Sequence, residues 1–460
     1  MPEPCAIGAE GVRVTSSSFK RHFATTTATN LAMMAVGVAT GTLSARLLGP
    51  QGRGELAAIT AFPAMVSALA LIGAPSALLY YVARFPERSA AYLAASGVVA
   101  MCGVVPAFIG AYLYIPVLLA HQRPGVVWAA RIFLLQMAVY LFASSPGEML
   151  RSVGRFGQWN ALRAVPRLLV LGAFLFAWAA SIRRPEFFAL ASLVASGAMV
   201  FPLWTWLTPV LIGSPRPTWA ECAEITRYAL PSVLGQLPRN LNLNLDQVVM
   251  SAALPARALG LYAAAVAWSG ASVPILQAIG FALFPRIASS HHAETRARVL
   301  ARTVRLTTFI AVAMTLVILA ATPVAVPALF GTGFTEAVKP ATILVLAGLF
   351  SGINMVLGDG VQGLGEPATV FAAEALGLVV TATSLAALIP RLQITGAAIA
   401  SLLSYASVTA FLVYRTCALA RLSIADLLMP RITELRLTWQ AASHPIGSAA
   451  QRLLAAVRAN

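Results

Sequence analysis

One stretch gathers side chains that could do chemistry. Residues 231–254 read PSVLGQLPRNLNLNLDQVVMSAAL, long enough as a helix to cross a bilayer. The middle of this stretch carries Gln236, Arg239, Asn240, Asn242, Asn244, Asp246 and Gln247. Polar groups at membrane depth are costly unless they face a partner or a watery cavity, so the segment is expected to line something. Residues three, four or seven apart share a helix face. Arg239, Asn242 and Asp246 therefore form one set, with Asn240, Asn244 and Gln247 beside it. The chemistry this offers is recognition: Arg presents forked, charge-assisted donors to an anion, and amides exchange hydrogen bonds with hydroxyls. The alternative is structural, with Arg239 paired to Asp246 or a neighbour and the amides tying helices together. Seven residues of helix rise about 10 Å, so those two charges do not meet easily within one helix.

Other titratable residues are sparse. Asp246 suits either a carboxylate that takes up protons during transport or an anchor for the adjacent loop, through Arg257 or Arg46. Glu148 and Asp359 occupy matching places in the two halves of the chain, each near a helix end where the dipole disfavours negative charge. Each should have a partner, and for Glu148 that is Arg151, one turn on. They fit either a gate or local pairing. His291 and His292 lie in a basic loop, 286–305, without Cys or carboxylates to complete a metal site. Cys5, Cys102, Cys222 and Cys417 are far apart, which argues against disulfides and zinc. No GxxxxGK[ST] loop is present, so no nucleotide cofactor is expected.

The elements that must position these residues are membrane helices. The chain has 460 residues, is 59% hydrophobic and only 10% charged, with mean hydropathy +0.79. Soluble proteins carry roughly 25% charged residues. The expected class is all-α and polytopic, with about twelve spans near 24–45, 56–83, 90–117, 125–150, 161–182, 187–212, 230–254, 259–284, 304–329, 340–364, 367–390 and 394–418. The connections are short, which leaves no room for a separate catalytic domain. The net charge of +16 sits mostly in loops and at span ends, where it sets topology and meets lipid headgroups; it does not point to nucleic acid. Most Lys and Arg fall on one side if both termini are cytoplasmic. The first apolar run lacks a convincing cleavage site and reads as an uncleaved span.

Two weak repeats emerge. RGELAA at 53–58 matches LGLYAA at 259–264, an offset of 206, and Gly147-Glu148 with Gly154 matches Gly358-Asp359 with Gly365, an offset of 211. Similar offsets predict two parallel six-span halves related by a pseudo-twofold axis along the membrane normal.

The run SARLLGPQGRGEL at 44–56 resembles the first loop of bacterial polysaccharide flippases, members of the multidrug/oligosaccharidyl-lipid/polysaccharide exporter superfamily. Asn244-Leu245-Asp246-Gln247 followed by Leu259-Gly260-Leu261-Tyr262-Ala263 resembles the start of that family's second half. Gly154-Arg155-Phe156 and Gln362-Gly363-Leu364-Gly365 resemble its helix 4 and helix 10 ends. The resemblance covers about 20 to 420. It implies two six-helix lobes around a central cavity. It also implies alternating-access movement of a lipid-linked oligosaccharide, typically on undecaprenyl diphosphate, for O-antigen, capsule or exopolysaccharide. On that footing Arg239 would hold the diphosphate and the amides the sugar hydroxyls. Span 1 has no charge, unlike the related lipid II flippases.

The expected division is a cytoplasmic N-terminal segment 1–22, an N-lobe 23–212, a cytoplasmic linker 213–229, a C-lobe 230–419 and a cytoplasmic tail 420–460, in a bacterial inner membrane. The expected partners are the lipid-linked substrate, membrane lipids and other polysaccharide-assembly proteins. A drug or metabolite exporter on the same fold is the second reading. A membrane-embedded glycosyltransferase or ligase is the third, disfavoured by 16 scattered acidic residues and the lack of a large loop.

Overall fold

The computed structural model describes residues 16–272, 276, 293–420 and 422–429, and these are helical almost throughout. In chain order the helices are α1 Ser16–Ala70, α2 Ala74–Arg84, α3 Ser89–Leu118, α4 Pro124–Phe133, α5 Gln136–Ser152, α6 Phe156–Ala179, α7 Pro185–Ala198 and α8 Val200–Leu207. They continue as α9 Trp219–Asn242, α10 Leu245–Ala253, α11 Ala256–Ser269, α12 Ala293–Phe330, α13 Val338–Gly363, α14 Pro367–Ala420 and α15 Ile424–Leu428. Among the described residues, eight stretches are long and apolar enough to cross a membrane. Two of them contain more than one crossing. α1 reverses at Gly49 (φ 64°), a conformation glycine adopts without steric cost, and α14 reverses at Gln393 (φ 50°). α9 with α10 adds a crossing too polar for a hydropathy criterion. α11 follows as a further apolar helix, Ala256–Ser269. The all-α, two-lobe membrane architecture expected from the hydropathy and the repeats is therefore the fold.

Several spans are broken where the sequence looked continuous. Ile72 and Gly73 take positive φ between α1 and α2. α4 gives way to α5 at Leu134–Leu135, and α7 to α8 at Met199. Large apolar side chains such as Phe201, Leu316, Val317 and Val324 stand exposed on the outside. In lipid this carries no penalty, because hydrocarbon is as apolar as the side chain.

The start of the seventh span corrects the sequence reading. Residues 219–229, assigned to a linker by hydropathy, are the first turns of α9. Thr218 and Glu221 form a capping box: Glu221 Oε2 accepts from the Thr218 backbone N–H at 2.5 Å and from its hydroxyl at 2.6 Å. Such a box satisfies orphan donors at a helix start. Likewise, 293–305 is helical, opening α12 rather than forming a loop. His291 and His292, the N-terminal segment 1–15 and the tail beyond 429 lie outside the described residues.

The repeat at offset 206 has a physical counterpart. Gly54 and Gly260 pack against each other, and the contact is reciprocal. A Cβ on Gly54 would stand 1.6 Å from the Ala256 carbonyl oxygen, and one on Gly260 would stand 1.8 Å from the Pro50 carbonyl oxygen. Positions 50 and 256 are themselves 206 apart. The same backbone patch from each half thus meets its copy, the signature of a twofold-related contact. Nearby, the Arg46 side chain donates from Nε to the Leu329 carbonyl at 2.8 Å.

Candidate functional site

The polar stripe sits at a helix break. Pro238 has no N–H to give to the preceding turn. Four residues later α9 ends at Asn242, and α10 restarts at Leu245. The Asn244 side chain donates to the Asn240 carbonyl at 3.1 Å, satisfying backbone that the break exposes. An unbroken 100° wheel therefore does not describe this stretch, and the two sets of residues separate into inward and outward groups.

Asn242 points inward. It is 5% exposed and binds both limbs of α14. Its amide nitrogen donates to Ser404 Oγ at 3.1 Å, and its amide oxygen accepts from the Thr381 hydroxyl. Ser404 in turn donates to the Gly377 carbonyl at 2.9 Å. Gly377 is needed there because a Cβ would lie 2.5 Å from Val408. Asp246 is also buried, accepting from the Tyr262 hydroxyl at 2.6 Å and from the Gln247 backbone N–H at 2.7 Å. Neither Arg257 nor Arg46 is its partner. Arg257 pairs with Glu336 at 2.9 Å, and Arg46 is engaged with backbone carbonyls. Asn242 and Asp246 thus use their hydrogen bonds to hold helices together, and Asn244 uses its own to close the break between α9 and α10.

Gln236 is exposed, while Arg239 and Asn240 are half-buried. Arg239 lies within electrostatic reach of two carboxylates, Asp359 on α13 and Glu374 on α14, and of the Tyr405 hydroxyl. Asp359 was picked out by the repeat. Glu374 was missed, although a lone acid in the apolar run PATVFAAEALGLVV is a signal in its own right. Glu148 and Arg151 pair with each other at 3.1 Å as i, i+3 neighbours. Arg151 also lies over the Trp159 ring. A second missed group is Arg163 on α6, which donates to Asn30 Oδ1 at 2.9 Å and sits 4.4 Å from the Trp159 ring centre.

At the end of the bundle opposite Gly54 and Gly260, the start of α9 is bound to the first half. Arg88 pairs with Glu221, and Tyr92 donates to Glu224 Oε2 at 2.6 Å. The rings of Tyr80 and Tyr228 stack at 4.7 Å. The hydrogen bonds from Thr218 hold the Glu221 carboxyl below the usual carboxylate range, with Arg88 adding to the effect.

The geometry offers a cation, Arg239, among amides and two acids carried by three helices. No group of three or more His, Cys, Asp or Glu side chains suited to a metal occurs among the described residues. A family model described as a polysaccharide biosynthesis protein matches residues 43–339, well over half of the chain. No curated protein sequence matches significantly. Among solved structures, an inward-facing multidrug resistance MATE family transporter of the MOP superfamily is similar at 16% identity and TM-score 0.68, over 86% of this chain and 99% of that one. The lipid II flippase MurJ in an inward closed conformation is similar at 12% identity and TM-score 0.67, over 93% and 95%. The MATE multidrug transporter DinF-BH is similar at 17% identity and TM-score 0.61, over 91% and 100%. At these identities the likeness establishes the fold.

Proposed function

The chain belongs to the polysaccharide biosynthesis protein family, and from that membership we propose that it is a flippase for a lipid-linked oligosaccharide. The substrate class is a glycan on a polyprenyl diphosphate, of the undecaprenyl type. It moves by alternating access from the cytoplasmic to the outer leaflet of a bacterial inner membrane, with both termini cytoplasmic. The product feeds O-antigen, capsule or exopolysaccharide assembly. The six-helix lobes are 23–212 and 230–419, and α9 extends the second of them back to Trp219.

The observation that carries the reading is Arg239. It is a half-buried arginine on a broken transmembrane helix, with no hydrogen bond to another described residue. A guanidinium kept at membrane depth without a direct partner is costly, and a diphosphate supplies the forked acceptor it lacks. Gln236 and Asn240 beside it present amides to sugar hydroxyls. Asn242, Asn244 and Asp246 support the helix on which these stand, and Glu148 with Arg151 closes a local turn. An inside-negative potential assists outward movement of the anion by about 2.3 kcal/mol per charge per 100 mV.

Deleting the protein should leave a lipid-linked glycan accumulating on the cytoplasmic face, with surface polysaccharide lost. Unchanged surface polysaccharide and no accumulation would end this reading. The acids Asp359 and Glu374 favour a second reading, export of an organic cation. Dye efflux from cells expressing the protein discriminates the two.

A further inference from the structure

We infer that Glu374 and Asp359 are counter-ions which hold Arg239 in the empty carrier and are displaced when an anionic headgroup binds. This rests on the reading of Arg239 as the anion-binding group.

The geometry comes from helix register. α9 and the first limb of α14 cross in the same direction, as alternating spans require. They touch where Asn242 meets Gly377, whose added Cβ would lie 3.4 Å from the Asn242 amide nitrogen, and where Thr381 donates to Asn242. Arg239 is three residues before Asn242, and Glu374 is three residues before Gly377. Three residues rise about 4.5 Å on a helix and return to nearly the same face. Arg239 and Glu374 therefore stand at one level, one turn toward the helix starts from a fixed bridge. Asp359 approaches from α13, whose height is set by the Asn354 amide donating to the Tyr405 carbonyl at 3.0 Å and the Thr409 hydroxyl donating to Asn354 Oδ1 at 2.6 Å.

Arg239 acts on both Asp359 and Glu374 through space, yet none of the three makes a direct ion pair or hydrogen bond with a described residue. The guanidinium donors thus remain available while its charge is balanced. The two carboxyl groups and an incoming diphosphate compete for one arginine, so the headgroup must push the acids aside. Three helices then rearrange in response to one ligand, a differential contact of the kind that shifts a conformational equilibrium. The interaction is also a selectivity device, because a neutral headgroup has nothing with which to displace the acids.

The test uses the full chain in nanodiscs and farnesyl diphosphate as probe, with binding measured by calorimetry. Glu374→Gln, nearly isosteric, should tighten binding about fivefold or more, and Asp359→Asn should act in the same direction. Arg239→Ala should abolish binding, and Glu374→Gln should give no gain in that background. A Glu374→Gln variant that binds the probe no tighter, while Arg239→Ala abolishes binding, overturns the counter-ion inference alone. Tightening of equal size with or without Arg239 also overturns it. Wild-type binding by Arg239→Ala removes the anion-binding reading beneath it.

Discussion

Gly54 and Gly260 touch backbone to backbone, each occupying the space that the other's side chain would need. Alanine at either position drives a methyl group into a carbonyl oxygen. Overpacking of this kind costs about 1–3 kcal/mol. Gly54→Ala and Gly260→Ala should each lower the melting temperature in detergent. Each should also raise labelling of a cysteine placed at Ala256 by a membrane-impermeant maleimide, because relief of the clash requires the halves to part at this end.

The pair Arg88 and Glu221 predicts an acid-sensitive contact between the halves. Glu221 has its carboxyl held below the ordinary glutamate value of about 4.3 by hydrogen bonds from Thr218. A depressed pKa contributes stability that is present above the unfolded value and is lost as pH falls through the folded one. Thermal stability should decline as pH falls below the ordinary glutamate range, and Glu221→Gln should flatten that decline. An unchanged slope in the variant would remove Glu221 as its source.

Asn242 joins both limbs of α14, so Asn242→Leu should unlink them. Interhelical hydrogen bonds in membranes contribute about 0.6 kcal/mol on average, and up to about 1.7. With two partners lost, a decrease of roughly 1–2 kcal/mol is expected in denaturant unfolding. The leucine must also fit beside Gly377.

Asp246 and Tyr262 separate anchoring from proton uptake. Asp246→Asn keeps an acceptor for the tyrosine hydroxyl and should preserve transport. Tyr262→Phe leaves a buried carboxylate with fewer donors and should lower stability by about 1–3 kcal/mol. Transport lost in Asp246→Asn with normal folding would make the carboxylate itself a coupling group.

Glu148→Gln should leave transport and stability nearly unchanged. Its pairing with Arg151 is local and partly exposed, at 27% and 47% side-chain exposure, and such pairs contribute about 0–1 kcal/mol. A large transport defect would restore a gating role.

The twelve crossings were legible because lipid demands long apolar runs with internally satisfied backbones, and the repeat was legible in the glycines that meet at the axis. What escaped was set by tertiary contact. Hydropathy placed the start of α9 late, because its first turns are polar and held by Thr218, Glu221 and Arg88. The break after Asn242 did not stand out because Leu alternates with Asn through it, although Pro238 marked it. The stripe residues were recognised, but which of them turn inward depends on Thr381 and Ser404, more than a hundred positions away. Glu374 and Arg163 were overlooked for opposite reasons. One stands alone in an apolar run, and the other lies among the basic residues near a span end, whose positions speak first of topology.

The Gly54–Gly260 contact also bears on how such a chain could arise. A surface that meets its own copy across a twofold axis is self-complementary, the property that closes homodimers. Half of this protein, carrying only the 50–54 patch, already holds both sides of the junction that joins the halves. In the fused chain the result is a paired constraint: any bulk added at one glycine must be accommodated by the backbone of the other half.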